Sequence, residues 1–142
     1  MDSRITFFSE DTDFSLTQED SVKDWVLAVM ARYQSSAGSI AYIFCSDEFL
    51  LGLNRAYLNH DYYTDILTFP TEEPGIEGVA ADIYISVDRV RDNAAEYRVS
   101  FEDELHRVMI HGVLHLLGLD DHGEAEMLMR KAEDEALSLR SF

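Results

Sequence analysis

Residues 101–117 read as one nearly all-apolar helix, Phe101 to Leu117, and that segment governs what the chain can become. A helix apolar around most of its circumference has to be covered on several sides. It therefore needs other elements stacked around it and cannot lie on a surface. Two imidazoles interrupt it, His111 and His115, four residues apart and so on one face, with Cβ atoms about 5–6 Å apart. Unpaired polar rings in such a helix would cost roughly 1–3 kcal/mol each. Two imidazole nitrogens at this spacing can converge on one ion at about 2.0–2.1 Å. Gly118 follows and can take the left-handed conformation that ends the helix and turns the chain back. The acid and histidine after it, Asp121 and His122, can then reach the same ion. A lone His-x-x-x-His pair is weak evidence for a metal. Here four of the chain's five histidines fall between positions 106 and 122, and the helix breaks where a third ligand has to arrive. His106, five residues before His111, is off that face and reads as a surface residue.

The rest of the chain supplies covering layers. Residues 5–8, 39–45, 65–69 and 82–86 read as strands. Thr17 is a candidate cap for a helix with Val22, Trp25, Val26, Val29, Met30 and Tyr33 on its inner stripe, ended by residues 35–38. Ser46 caps a second helix to about Tyr57, with Phe49, Leu50, Leu53 and Tyr57 on one side. Residues 88–97 form a polar helix with Val90, Ala94 and Tyr97 inward. A last helix spans residues 124–139 with Met127, Leu128, Ala132 and Leu137 inward. Residues 71–78, with Pro74 and two glycines, form a loop. Neither repeat nor linker divides the chain. The expectation is a single domain over residues 1–142, of α/β (α+β) type, with a small mixed sheet of about four strands packed by about five helices.

The net charge of −17 excludes a generic basic nucleic-acid surface. A nucleic-acid substrate would need a local basic patch or a metal to offset the field. Seven of the 11 basic residues lie after Gly78, three of them (Arg89, Arg91, Arg98) close together. The single cysteine, Cys45, excludes an internal disulfide framework and reads as a small buried apolar residue in a strand. Residues 1–5 do not look like a signal peptide and no apolar run could span a bilayer, so a soluble cytoplasmic protein is expected.

The metal segment His111-Gly112-Val113-Leu114-His115-Leu116-Leu117-Gly118-Leu119-Asp120-Asp121-His122 resembles the H-G-x-L-H-L-x-G-Y-D-H pattern of the YbeY endoribonucleases, bacterial metal-dependent RNases of ribosomal-RNA maturation. Leu53-Asn54-Arg55-Ala56-Tyr57 is similar to that family's L-N-x-x-Y. Thr64-Asp65-Ile66-Leu67-Thr68-Phe69-Pro70 is similar to its T-D-V-L-S-F-P, and Ala81-Asp82-Ile83-Tyr84-Ile85-Ser86 to its G-D-I-x-I-S. The resemblance runs in the family's order from Asp47 to the C-terminus. It implies a small mixed sheet packed by helices, with a zincin-like metal helix lying across it. It also implies one Zn²⁺, or another divalent metal, per chain.

The sequence departs from the pattern at two places. The family's third ligand is a histidine, and the gapless match puts Asp121 there; a turn one residue longer would bring in His122 instead. Carboxylate is an acceptable zinc donor. Many members carry Arg after L-N-x-x-Y, a natural phosphate contact, where this chain has Leu58 followed by Asn59 and His60. Asp65 and Asp82, at expected strand starts, are candidates for orienting loops or ligands.

The resemblance implies an endoribonuclease specific for single strands, acting in maturation of the 3′ end of small-subunit ribosomal RNA. Its partners would be a ribosomal-RNA precursor and small-subunit ribosomal proteins, with no membrane. His111, His115 and Asp121 would hold the metal and carry catalysis, with His122 as the alternative to Asp121. Arg89, Arg91 and His60 are candidates for substrate contacts. The ion would polarise a phosphoryl oxygen and lower the pKa of water to about 7. A zinc peptidase is the rival enzyme, but zincin helices place Glu directly after the first His, and here that residue is Gly112. A metal-stabilised ribosome-associated factor without turnover is the non-enzymatic rival.

Overall fold

The computed structural model describes residues 4–71 and 77–142. Strands β1 (Ile5–Glu10), β2 (Ala37–Cys45), β3 (Ile66–Pro70) and β4 (Val79–Ser86) form one sheet in the order β1-β2-β4-β3. β1 and β2 run parallel, as do β2 and β4, and β3 returns antiparallel to β4. The helices are α1 (Glu19–Arg32), α2 (Asp47–Leu58), α3 (Val87–Tyr97), α4 (Phe101–Leu116) and α5 (Ala125–Ser138). This is the mixed α+β sheet with helices that the sequence pattern implies. No helix among the described residues is long and apolar enough to cross a membrane.

Side-chain alternation along the strands builds two layers. Ile40, Tyr42 and Phe44 of β2 and Ile83 and Ile85 of β4 face the main core with α1, α4 and α5. Cys45, Leu67 and Tyr84 face the other way, onto Leu50, Phe49 and Leu53 of α2. Hydrogen bonds tie the main layer together: the Trp25 indole donates to the Ala136 carbonyl at 2.8 Å, and the Tyr42 hydroxyl to the Met109 carbonyl at 3.0 Å. Serines 46, 86 and 100 cap α2, α3 and α4 by accepting from the backbone N–H three residues on.

α4 packs on β3 and β4 between α3 and α5. Gly112 lets it come close. A Cβ there would sit 2.8 Å from Ile66 Cδ1 and 3.4 Å from methyls of Ile83 and Thr68. The position that carries the catalytic glutamate in zincin helices thus points into the sheet and has no room for a carboxylate.

Several expectations are corrected. α1 opens at Glu19 after Gln18, which is left-handed (φ 58) and provides no side-chain cap, so Thr17 is not the N-cap. α1 ends at Arg32, and Ala37 and Gly38 belong to β2. Ala37 pairs with Val79 and Ser39 with Ala80, extending the ladder through small residues that carry little hydropathy signal. Gly78 (φ +99) makes this possible, since a Cβ there would lie 2.7 Å from the Ser36 carbonyl oxygen. Asp82 sits inside β4, not at its start, and Asp65 immediately precedes β3. Tyr33, Tyr57 and Tyr97 are exposed, because each lies at or near a helix end past the edge of the core. On α5 the buried stripe is Met129, Ala132, Glu133 and Ala136, while Met127 and Leu128 are exposed. The stripe keeps helical spacing but includes an acid, which hydropathy alone would place in solvent.

His106 is also not a surface residue. It is buried between the rings of Trp25 and Phe142, with centroids 5.6 and 5.3 Å away. Its Nδ1 accepts from the Arg140 guanidinium at 2.8 Å. Burial, with Arg140 beside it, pushes its pKa down to about 4.

Candidate metal centre

α4 places His111 and His115 one turn apart, and the turn after Gly118 (φ +102) brings Asp121 back to His111. His111 is held from two sides. Its Nδ1 lies 2.7 Å from Glu133 Oε2, and its Nε2 lies 3.2 Å from Asp121 Oδ2. Glu133 is buried on α5 and also accepts from Arg107 at 2.9 Å. Arg107 reaches past it to Asp134 at 2.6 Å. A carboxylate on one ring nitrogen fixes the ring and leaves the other nitrogen to face an ion, as metal-ligating histidines are ordinarily held. Two donors about 2.0–2.1 Å from one tetrahedral ion are about 3.3 Å apart, close to the separation of His111 Nε2 and Asp121 Oδ2.

Asp121 is shared. Its Oδ1 lies 3.1 Å from His122 Nδ1, which also meets Asp120 Oδ1 at 2.9 Å. Asp120, Asp121 and His122 thus form a local group of donor atoms within 4.8 Å of one another. Their shelter differs: the side chains of Asp120 and His122 are 62% and 86% exposed, against 25% and 34% for His111 and Asp121. The His115 side chain is exposed at the end of α4, has no hydrogen bond or ion pair with a described residue, and does not join His111 and Asp121 in a group of donor atoms within 4.8 Å of one another. The donor set of two imidazoles and a carboxylate suits a zinc-like divalent ion.

A cavity of about 270 Å³ opens beside His111 and Asp121 between α3, α4, α5 and the start of β3. Asp65 and Glu104 line it, and burial raises the pKa of both carboxyls. The hydrogen bond to Glu133 raises His111, outweighing its desolvation. On the open turn, the hydrogen bond between His122 and Asp120 raises the histidine and lowers the acid.

The other candidate residues lie outside the walls of this cavity. Arg89 donates to Asp47 at 2.7 Å, lies 3.5 Å from Asp92 and rests over the Tyr63 ring. With Ser86, which donates to Asp47 at 2.6 Å, it joins the starts of α2 and α3. Arg91 lies 3.9 Å from Asp88 and over the Phe101 ring. His60 stacks on Tyr62 at 5.2 Å and hydrogen bonds its hydroxyl. Sequence reasoning missed Glu133, Arg107, Glu104 and the cavity. The one available signal was a glutamate at an inward helical position of α5, in step with Met129 and Ala136.

Residues 4–140 match the family profile described as Endoribonuclease YbeY. The chain is 47% identical over 140 residues to the Endoribonuclease YbeY of Cytophaga hutchinsonii, covering 97% of this chain and 96% of that one. It is 43% identical over 137 residues to that of Bacteroides thetaiotaomicron, covering 96% and 98%. Among solved structures it is similar to the solution structure of TM1509 from Thermotoga maritima, with TM-score 0.63 and 27% identity, over 94% of this chain and 87% of that one. With a profile match over nearly its whole length, relatives of this identity and the same fold, the chain belongs to the endoribonuclease YbeY family.

Proposed function

We propose that the chain is a metal-dependent endoribonuclease specific for single strands, acting in the cytoplasm on the 3′ end of small-subunit ribosomal RNA. Small-subunit ribosomal proteins are its docking partners. His111, His115 and Asp121 hold one divalent ion, with zinc the best match to the donor set. The observation that carries this reading is His111, locked through Nδ1 by a buried carboxylate and presenting Nε2 to Asp121 at 3.2 Å.

The ion, when bound, supplies Lewis-acid stabilisation of the phosphoryl oxygens and lowers the pKa of water. The chain's own residues do the rest. Glu133 and Arg107 fix the His111 ring. Asp65 and Glu104, made weaker acids by burial, stand in the cavity wall where a carboxyl can hold or take a proton. Gly112 leaves no place for the glutamate base of a zincin peptidase, which disfavours peptide hydrolysis.

The test is His115→Ala assayed on a purified ribosomal-RNA precursor with stoichiometric zinc. Cleavage should fall by more than the roughly 10–100-fold that loss of an outer-shell partner causes. Undiminished cleavage would refute the assignment. Chelation that stops cleavage with circular dichroism unchanged identifies a catalytic ion. Chelation that melts the fold identifies the structural ion of a non-catalytic factor.

A further inference from the structure

Two features on the wall of the cavity are unused by the metal site. The first is Tyr97 at the end of α3. The residue is 53% exposed although Val90 and Ala94 on the same helix are buried. It is the only exposed large aromatic among the described residues that lines this cavity. Asn93, one turn back on α3, lines it too, and its amide has no hydrogen bond with a described residue. That amide offers both donors and an acceptor.

The second is Arg130 on α5. Two guanidinium groups line the cavity, and Arg107 is committed to Glu133 and Asp134. Arg130 is exposed and has no ion pair with a described residue. Its charge reaches inward, opposing the burial that raises Glu104. The remaining charged lining is Asp65, Glu104, Asp121, Glu126 and Glu133 with His111. In a chain of net charge −17, a polyanion is repelled at long range. Arg130 is therefore the uncommitted protein cation facing a strand that enters this cavity.

We propose that Tyr97 and Arg130 form a strand-binding subsite at this cavity, Tyr97 stacking one base and Arg130 taking a phosphate of the same strand. The proposal rests on the nuclease reading. Stacking on a protein ring needs a base free of its own helix, so the subsite favours single strands. Asn93 lies on the same wall to meet a base edge.

The test is fluorescence anisotropy of a labelled single-stranded RNA oligonucleotide with zinc-loaded protein over a salt series. Tyr97→Ala should weaken binding about fivefold or more with an unchanged salt slope, and Tyr97→Phe should restore it. Arg130→Ala should weaken binding and reduce the slope of log K against log salt by about 0.7, the share of one phosphate contact on a single strand. Arg130→Lys should keep the slope. Arg32→Ala makes the same charge change away from the cavity and should match the parent. Zinc affinity by chelator competition should be equal in all variants. If Tyr97→Ala and Arg130→Ala both bind RNA as the parent does, and RNA is still cut, the subsite is refuted and the nuclease reading stands. If the parent neither binds nor cuts RNA, both fall together.

Discussion

Replacing Glu133 by Gln tests the support behind His111 in the proposed metal centre with the least change of shape. Glu133 is 5% exposed, accepts from Arg107 at 2.9 Å and faces His111 Nδ1 at 2.7 Å. Gln keeps one carbonyl oxygen, so it can still serve one partner, but it turns an NH₂ group towards the other. Hydrogen bonds to charged groups contribute about 1.5–3 kcal/mol each. Relief from burying a carboxylate offsets part of the loss. The expected net destabilisation of the metal-free protein is about 1.5–3 kcal/mol, the worth of one such bond. Zinc should suffer in parallel, since loss of an outer-shell partner typically weakens metal affinity about 10–100-fold, or about 1.4–2.8 kcal/mol. The assay is chelator competition for zinc, with urea denaturation of the metal-free protein alongside. Glu135→Gln, on the same helix and exposed, is the control. A Glu133→Gln protein that binds zinc within twofold of the parent would refute the positioning role.

Other perturbations have defined outcomes. Gly112→Ala gains about 1 kcal/mol of helix propensity but must displace the end of Ile66, so its stability in urea should lie within about 1 kcal/mol of the parent. Gly112→Glu forces a carboxylate into the sheet and should cost more than about 3 kcal/mol; parental stability would contradict the close packing of α4. His106 has a folded pKa near 4, below the ordinary histidine value of about 6.5. The unfolded chain therefore binds the extra proton first. The contribution of neutral His106 is complete above about pH 6.5 and is lost as pH falls through about 4. His106→Phe should flatten that part of a stability–pH curve measured by urea denaturation, and an unaltered curve would count against the buried neutral ring. The Cys45 thiol is fully buried and pushed up to about 12, so a thiol reagent should modify it only on unfolding, while rapid native labelling would contradict its burial.

Hydrophobic period and helix punctuation revealed most of the frame. The apolar run of α4, the cap Ser46 and the turn at Gly118 all act locally, so their signals survive without tertiary context. What stayed hidden depends on partners distant in sequence. Glu133 looks like a solvent-facing acid until Arg107 and His111 are packed against it. His106 looks exposed by helical angle from His111, yet Trp25 and Phe142 close over it from the two ends of the chain. Tyr97 follows the inward spacing of Val90 and Ala94, but α3 ends there and its ring projects past the core. Strand β4 begins earlier than its hydropathy because pairing with β2, not side-chain character, orders Val79 to Ala81. The proposed metal helix was legible because two imidazoles, His111 and His115, share one helix face and the carboxylate of Asp121 follows six residues later, after the turn at Gly118.

The proposed site is one divalent ion held by His111, His115 and Asp121. An anomalous diffraction map at the zinc edge, from crystals of protein purified without chelator or added metal, would show that ion and its ligands. The predicted result is a single strong peak about 2.0–2.2 Å from His111 Nε2, an imidazole nitrogen of His115 and a carboxylate oxygen of Asp121. A peak seated between Asp120 and His122 and away from His115, or no peak after soaking in zinc, would contradict it.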